Sequence, residues 1–185
     1  MNRLPIPAVE AAPTASQPLL AAVKQQIGMV PNLMKVLAHS PAGLGAYLGL
    51  SSAVAGGALD GAARERIALT VAEANGCEYC LSAHSYLGKH VAKPADDELD
   101  AARDGRSADA KVQALLQFTQ AVVAQRGRVD DAELARFLAA GHGHDAVIEV
   151  VANIALNVFT NYLNNIARTT VDFPYVHPRD VRLAA

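Results

Sequence analysis

The spacing of apolar residues constrains this chain most strongly, because it is helical nearly throughout. After a Pro-punctuated start that runs to about Pro13, residues 16–27 place apolar side chains at three- and four-residue intervals, and Gly28 is suited to end that helix. The same periodicity returns as far as residue 168, and no segment has the alternation typical of a strand. We therefore predict an all-α array without heptads.

Capping residues and breakers set the expected helix boundaries. Ser40 and Pro41 suit the cap and first position of one helix, and Asp60 and Asp130 suit the caps of two others. The predicted helices cover residues 16–27, a short segment around 33–37, about 40–55, 60–75, 77–91, 95–104, 108–125, a segment that begins at 130, and 144–168. A length of 185 residues suits one well-buried core. We expect residues 1–185 to form a single domain, with an extended N-terminal arm at 1–13 and an extended C-terminal tail at 171–185.

Composition excludes several functional classes. The net charge is −2 and the basic residues form no stripe, which disfavours nucleic-acid binding. No uninterrupted apolar run reaches the roughly 18 to 20 residues of a membrane span. The first residues lack the continuous apolar segment of a signal peptide, so a cytoplasmic location is the expectation.

The two cysteines of the chain, Cys77 and Cys80, stand three residues apart, and His84 follows one helical turn later. A disulfide between them closes a tiny loop and contributes little stability, so reversible oxidation or metal binding is favoured over a structural role. Three alternatives stay open. The cysteines can be small buried apolar residues, they can form a zinc site with His84 and an acid, or they can belong to a thioredoxin-like domain, which requires a strand before the motif.

The local sequence also suggests how a thiol here could be ionised. Cys77 lies at a predicted helix N-terminus, where unpaired backbone N–H groups favour a thiolate, although Glu78 opposes this effect. Cys80 faces His84 at the i+4 position, so the imidazole can accept the thiol proton or stabilise the thiolate. An antiparallel return after the preceding helix could bring Glu65 against His84 and orient the imidazole.

Two further polar patterns lie outside the cysteine motif. His142 and His144 lie in a Gly-rich junction that could hold a metal but more often is solvent-exposed. The last helix carries a polar stripe at spacings of three and four. The stripe comprises Glu149, Asn153, Asn157, Asn161 and Asn164 or Asn165. It is either a solvated face or a hydrogen-bonded seam against another helix or subunit.

At these residues the chain resembles the AhpD-like alkylhydroperoxidase branch of the carboxymuconolactone decarboxylase family. The family pattern places a Glu twelve residues before the first Cys, then Cys-x-x-Cys, then a His four residues later, which corresponds to Glu65, Cys77, Cys80 and His84. Residues 28–32, the Ser40-Pro41 pair and the segment ending at Pro174 also look like the peroxidase-related members.

The resemblance implies a thiol-dependent peroxidase that needs no cofactor or metal. It makes Cys80 the peroxidatic residue, which becomes a sulfenic acid, and Cys77 the residue that condenses with it. Glu65 and His84 would form the proton relay. The implied partners are a hydroperoxide substrate and a thioredoxin-like or lipoyl dithiol reductant, with no nucleic acid or membrane. The implied assembly is a homo-oligomer, a trimer or hexamer.

One position departs from the best-studied peroxidase type, which carries a His immediately before the second Cys. Here that position is Tyr79, whose phenol is a poor base near neutral pH. We hypothesise that Glu73, four residues before Cys77, compensates by another route. Two other functions stay open on the sequence, namely a redox-sensing or scaffold oligomer without rapid turnover and a carboxymuconolactone decarboxylase-like lyase.

Overall fold

The computed structural model describes residues 2–91 and 96–179, and within them the chain is helical with no strand. Nine α-helices follow a short 3₁₀ turn at Val9–Ala11 in these ranges. They are α1 (Gln17–Ile27), α2 (Asn32–Leu37), α3 (Pro41–Ala55), α4 (Gly61–Ala74), α5 (Glu78–Val91), α6 (Asp96–Arg103), α7 (Ala110–Gln125), α8 (Asp131–Ala139) and α9 (His144–Ala167). The all-α prediction is confirmed. Residue 95 of the predicted helix at 95–104 and residues 180–185 of the predicted tail lie outside the described residues.

The predicted caps form as expected. The Ser40 hydroxyl accepts a hydrogen bond from the Gly43 N–H at 3.0 Å, and the Asp60 carboxylate accepts one from the Ala63 N–H at 2.8 Å. Asp130 and Glu133 form a reciprocal capping box at the start of α8. These local bonds fix where each helix begins, and therefore how the helices enter the core.

Helix α4 lies at the centre of the fold and contacts α5, α6, α7 and α9. Its residues 67–72 are all buried. One apolar cluster joins α1, α2 and α5, and a second joins α4 to α7, α8 and α9. In the second cluster the rings of Phe118 and Phe137 stack with centroids 4.4 Å apart. The cysteine motif on α5 is thus held against the most buried helix of the protein.

The polar stripe of α9 is not a solvated face, so that alternative is wrong. Four asparagines of the stripe are buried, namely Asn153, Asn157, Asn161 and Asn164. The Asn161 side-chain oxygen accepts a hydrogen bond from the Asn75 amide at 2.9 Å, and the Asn165 amide donates to the Asn75 carbonyl. Both oxygens of Glu149 accept backbone N–H bonds from Ala58 and Leu59. The stripe is a seam between helices of one subunit.

By length and composition α9 could cross a membrane, and 39% of its apolar window is buried inside the protein. Core helices of soluble proteins share this property. Here Val150 and Ile154 pack into the second apolar cluster, and the asparagine seam covers another side of the helix. The fold therefore accounts for the apolar residues on the inner side of α9.

Both terminal segments are bound to the helical body. In the segment predicted as an extended arm at 1–13, residues 5–8 have no regular secondary structure and the 3₁₀ turn at Val9–Ala11 follows them. The Arg3 N–H donates to the Ala167 carbonyl at 2.7 Å. In the tail, the Asn32 N–H donates to Asp172 at 2.8 Å, and the Val176 N–H donates to the Ser82 hydroxyl at 2.9 Å. The tail therefore lies across α5 beside the cysteine motif.

Candidate active site

The cysteine motif begins at a tight turn between α4 and α5. Gly76 has φ of 59°, a left-handed conformation that glycine adopts without steric cost. Helix α5 begins at Glu78, next to the predicted start at about Cys77. Cys77 instead caps the helix, because its sulfur accepts a hydrogen bond from the Cys80 N–H at 3.3 Å. This hydrogen bond holds the Cys77 sulfur next to the Cys80 sulfur.

The two cysteines are free thiols whose Sγ atoms lie 2.7 Å apart. This separation is longer than the roughly 2.05 Å of an S–S bond, yet short enough for the bond to form with little movement. Both residues are buried, with 0% of Cys77 and 2% of Cys80 exposed. The cysteines thus share one site and are not in separate packing positions.

The predicted partnership of Glu65 and His84 is present in the structure. Helix α5 packs on α4, and the His84 Nδ1 atom lies 2.8 Å from the Glu65 carboxylate. Both side chains are about four-fifths buried. A carboxylate at Nδ1 fixes the ring orientation and leaves Nε2 free for proton exchange. The structure therefore brings together Glu65, Cys77, Cys80 and His84.

Burial disfavours a charged Cys80, but its surroundings outweigh that effect. The hydrogen bond from Cys77, the charge of His84 and the Asn164 amide, 3.3 Å from the sulfur, together lower the pKa of Cys80 to about 7. The Asn161 amide contributes in the same direction, although its nitrogen has no hydrogen-bond partner at ordinary distance among the described residues. Cys80 is therefore substantially ionised near neutral pH.

The pKa values of the neighbouring Cys77 and His84 are raised, in contrast to that of Cys80. The hydrogen bond to Cys80, together with burial, raises the pKa of Cys77, because a single negative charge is shared by two sulfurs. Burial disfavours the charged form of His84, but Glu65 and the Cys80 thiolate prevail and raise its pKa. The favoured state is a Cys80 thiolate beside a His84 imidazolium, with Cys77 as the proton donor between sulfurs.

Cys80 opens into a cavity of about 260 Å³, here called the Cys80 cavity. Glu65 and His84 line one part of it, and Tyr47 and Asn157 line other parts. Its full lining is Leu33, Tyr47, Ser51, Val54, Ala55, Arg64, Glu65, Ala68, Tyr79, Cys80, Ala83, His84, Leu87, Asn153, Leu156, Asn157 and Thr160. Burial and the nearby charges of Cys80 and Glu65 raise the pKa of Tyr47 to about 12, so its hydroxyl stays protonated and can donate a hydrogen bond.

Tyr79 lines the Cys80 cavity, but its hydroxyl is occupied elsewhere. It donates to Asp172 at 2.8 Å and accepts from the Leu33 N–H at 3.1 Å. Burial raises the pKa of Tyr79, so its phenol stays protonated near neutral pH and offers no phenolate to accept a proton. Its ring meets Phe173 edge-on at 5.9 Å. Tyr79 therefore forms part of the cavity wall, and its hydrogen bond to Asp172 connects the tail to the cysteine motif.

Glu73 does not join the sulfurs, which corrects its predicted place in the site. One carboxylate oxygen accepts from the Arg103 guanidinium at 2.7 Å, and the other accepts from the Arg179 N–H at 2.6 Å. Glu73 lies about two helical turns after Glu65 on α4. The lining of the Cys80 cavity does not include it. The hydrogen-bonded pair beside Cys80 consists of Glu65 and His84 and does not include Glu73.

The histidine pair near residue 143 does not belong to the site. The His142 ring stacks on Phe137 with centroids 4.3 Å apart, and its Nε2 lies 2.9 Å from the Lys111 carbonyl. Within residues 2–91 and 96–179, no cluster of three or more potential metal-binding side chains is present. His142 is therefore a packing and hydrogen-bonding residue.

Sequence reasoning missed three contributors to the site. Asn164 was part of the noted asparagine stripe, but its sulfur partner lies 84 residues away in the sequence and no local spacing indicates it. Tyr47 comes from α3, whose small residues give no site signal. Asp172, which holds Tyr79, lies in the tail. Each depends on tertiary packing, which periodicity does not specify.

The chain matches one family model and several solved structures. The sequence model of the carboxymuconolactone decarboxylase family matches residues 41–124, which contain Glu65, Cys77, Cys80 and His84. A search of curated proteins finds no match. The comparisons support an AhpD-like, carboxymuconolactone decarboxylase family assignment.

Solved structures share the AhpD-like fold over nearly the whole chain. An alkylhydroperoxidase AhpD core, an uncharacterized peroxidase-related protein from Ralstonia eutropha JMP134, is 23% identical with a TM-score of 0.82, covering 92% of each chain. A peroxidase-related protein from Silicibacter sp. TM1040 is 20% identical with a TM-score of 0.79, covering 91% of this chain and 89% of that one. A variant of the debrominase Bmp8 in complex with 2,3,4-tribromopyrrole is 21% identical with a TM-score of 0.76, covering 91% and 90%.

Proposed function

We propose that the protein is a thiol-dependent peroxidase that reduces hydroperoxides through a disulfide cycle between Cys80 and Cys77. The observation that carries the proposal is the pair of Sγ atoms 2.7 Å apart, with Cys80 in a cavity that also holds the Glu65 and His84 pair. The attacking thiol, the resolving thiol and the proton donor of peroxide reduction would then all come from this chain. The family assignment and the peroxidase-related neighbours support the same reaction class.

In the first step the Cys80 thiolate attacks one oxygen of the peroxide and the O–O bond breaks. Cys80 becomes a sulfenic acid, and the leaving alkoxide takes a proton from the His84 imidazolium and departs as an alcohol. The Glu65 carboxylate at Nδ1 stabilises the imidazolium before the transfer and restrains the ring during it. The buried cavity strengthens these charge interactions relative to water.

In the second step the Cys77 sulfur attacks the sulfenic sulfur, an S–S bond forms, and the hydroxyl leaves as water after protonation. The disulfide then needs two electrons from an external dithiol, for which a thioredoxin-like or lipoyl protein is the proposed class. Without that reductant the protein completes one turnover. The cycle needs no metal or cofactor in this proposal.

Multiple-turnover peroxide consumption with a supplied dithiol tests the proposed function. The wild-type protein should consume many equivalents of hydroperoxide, and C80S should consume none above the rate of the dithiol alone. Oxidation of the wild type that stops after one equivalent despite ample dithiol would favour the redox-sensing alternative. Activity on a muconolactone substrate that survives C80S would favour the lyase alternative.

A second candidate is reductive debromination of a small aromatic compound. The apolar part of the Cys80 cavity, formed by Val54, Leu87 and Leu156 beside the Tyr47 ring, favours a flat apolar ligand. A debrominase is also among the structural neighbours. A thiolate attack on bromine, protonation of the carbon and displacement of bromide by Cys77 would give the same disulfide. Bromide release from 2,3,4-tribromopyrrole, compared with peroxide consumption at equal protein concentration, separates the two candidates.

We also propose that the protein forms a homo-oligomer through α9. The outer face of this helix exposes large apolar side chains, including Ile148, Tyr162 and Ile166, of which Ile148 is 71% exposed. Exposed apolar patches of this kind favour association. Light scattering of the wild type and I166E measures the effect, and a wild-type monomer at micromolar concentration would contradict the proposal.

A further inference from the structure

A second pocket lies beside the cysteine motif, next to Cys77 and beneath the tail. Its volume is about 590 Å³, and we call it the tail-side pocket. It is lined by Asn75, Gly76, Glu78, Tyr79, Asn164, Asn165, Arg168, Thr169, Val171 and Pro178. Tyr79 alone among these also lines the Cys80 cavity, so the two spaces lie on different sides of the first turn of α5.

We propose that the tail-side pocket is the entrance for the reducing thiol, while the oxidant enters through the Cys80 cavity. This inference rests on the proposed function, because it assumes that a disulfide between Cys77 and Cys80 forms during turnover. It adds the side of attack, the sulfur attacked and the charge of the preferred reductant. The protein would then receive its oxidising and reducing substrates from different directions.

The position of the pocket relative to the sulfurs is the first argument. The residues immediately before and after Cys77, namely Gly76 and Glu78, both line the pocket. Asn164 lines it as well, and the same side chain donates a hydrogen bond to the Cys80 sulfur. One layer of side chain thus separates the pocket from the sulfur pair. Because Cys77 is fully buried, a small displacement at Gly76 or Asn164 is needed to admit the thiol.

Two polar groups in the pocket wall lack partners within the described residues. The side-chain oxygen of Asn164 and the hydroxyl of Thr169 make no hydrogen bond there, although the two residues are only 3% and 7% exposed. A buried polar atom without a partner destabilises the folded state by about 1–3 kcal/mol, so such atoms are uncommon. Both would gain a partner from a polar ligand that entered the pocket, such as a thiol or an amide.

The leaving-group chemistry determines which sulfur is attacked. In thiol–disulfide exchange the sulfur with the lower thiol pKa departs faster, and Cys80 is that sulfur. The incoming thiolate therefore attacks the Cys77 sulfur, the protein S–S bond breaks, and Cys80 leaves as the thiolate. A second thiolate then attacks the reductant's sulfur in the mixed disulfide. Cys77 leaves and takes a proton, and the reductant becomes a disulfide.

Charge at the pocket mouth favours an anionic reductant. Arg168 is exposed, and in the part of the chain that the structure describes its guanidinium makes no ion pair. The other charged lining residue, Glu78, has its carboxylate 2.7 Å from the His177 ring. Because the Glu78 carboxylate already contacts His177, the Arg168 guanidinium is the charged group of this lining that, among the described residues, has no partner for an anionic ligand to displace. A thiol that carries carboxylates, such as glutathione, should associate faster than a neutral dithiol of the same reactivity.

The test separates the two half-reactions in stopped-flow experiments. The disulfide is first prepared with diamide, so that reduction is measured independently of peroxide chemistry. N165W fills the tail-side pocket, and A55W is the matched control that fills the Cys80 cavity, because both original residues are exposed lining residues. We expect N165W to slow reduction by about ten-fold and leave peroxide oxidation within about two-fold of wild type, with A55W showing the reverse pattern.

Either of two results would overturn the inference. One is wild-type reduction in N165W, and the other is equal slowing of both half-reactions in N165W, which would indicate a general structural effect. Charge preference gives an independent measurement on the same disulfide. R168E should slow reduction by glutathione several-fold more than reduction by dithiothreitol, R168K should preserve the preference, and added salt should weaken it. Failure of peroxide to oxidise the wild type would contradict the proposed function and leave these reduction experiments interpretable.

Discussion

The two cysteines have the same side chain and nearly the same position, yet their surroundings make them chemically different. Cys80 lies between His84 and the Asn164 amide and opens into the Cys80 cavity, whereas Cys77 caps a helix and is not part of the lining of that cavity. These contacts lower the pKa of Cys80 to about 7 and raise the pKa of Cys77. The difference in pKa between the two thiols comes from the side chains packed around the motif, because the Cys-x-x-Cys spacing alone does not distinguish one sulfur from the other.

The largest expected effect comes from exchanging each sulfur for oxygen. C80S should lower the rate of peroxide reduction by at least about 1000-fold, because a serine hydroxyl is not ionised at neutral pH. C77S should retain the first oxidation and lose steady-state turnover. Stopped-flow oxidation and coupled dithiol assays measure the two stages. Equal loss of the first oxidation in both variants would remove the proposed difference between the cysteines.

The proton relay should give the next largest effect. H84N and E65Q each should lower the second-order rate of Cys80 oxidation by about 100-fold, because the leaving oxygen loses its proton donor or the donor loses its orienting carboxylate. The effect should grow as the pKa of the leaving alcohol rises. A uniform rate loss for leaving groups of very different acidity would contradict proton donation by His84.

The Asn164 contact should tune Cys80 with a smaller effect. Replacement by leucine, N164L, removes a hydrogen bond to the thiolate while keeping similar volume, so the pKa of Cys80 should rise from its wild-type value of about 7. The thiolate fraction at pH 7 should fall accordingly. The pH profile of iodoacetamide alkylation reports this shift when N164L/C77S is compared with C77S alone, because C77S also removes the Cys77 contact that lowers the pKa of Cys80. An unchanged or lower midpoint would show that Asn164 does not stabilise the thiolate.

Glu73 should have the smallest effect on catalysis. E73Q should leave the oxidation rate of Cys80 within about two-fold of wild type, because the carboxylate contacts Arg103 and the tail instead of the sulfurs. The same variant should lower the free energy of unfolding by about 1 kcal/mol, since the mostly buried Arg103 guanidinium loses the charge of one partner and keeps Asp100 and the His177 carbonyl as the others. Urea denaturation measures the second effect. A strong rate loss with unchanged stability would restore Glu73 to the relay.

The contrast between Glu65 and Glu73 shows what the sequence could predict. Helix boundaries, caps and the Glu65–His84 pair followed from local spacing, because adjacent helices joined by a tight turn have few ways to pack. Spacing placed Glu73 on the same helix as Glu65 and close to Cys77, but it could not show that Arg103 and Arg179 occupy its oxygens. Those partners come from α6 and the tail.

Contacts between segments that are distant in the sequence account for the features of the site that the sequence could not predict. The sequence identified the α9 asparagines as unusual but left their environment open between solvent and a seam. Their burial depends on how α9 crosses α4 and α5, and the bond from Asn164 to Cys80 depends on a backbone approach that no local pattern encodes. Likewise, the tail-side pocket exists only because the tail returns across α5.

The most direct test of the account is a thiol titration before and after addition of one equivalent of hydroperoxide. The wild type should lose both thiols and gain an intramolecular disulfide between Cys77 and Cys80, as identified by mass spectrometry. C77S should lose its remaining thiol and accumulate a sulfenic acid on Cys80 that a dimedone probe captures. Retention of both thiols in the wild type, or sulfenic acid trapped on Cys77 in C80S at the wild-type rate, would contradict the assignment of Cys80 as the attacking residue.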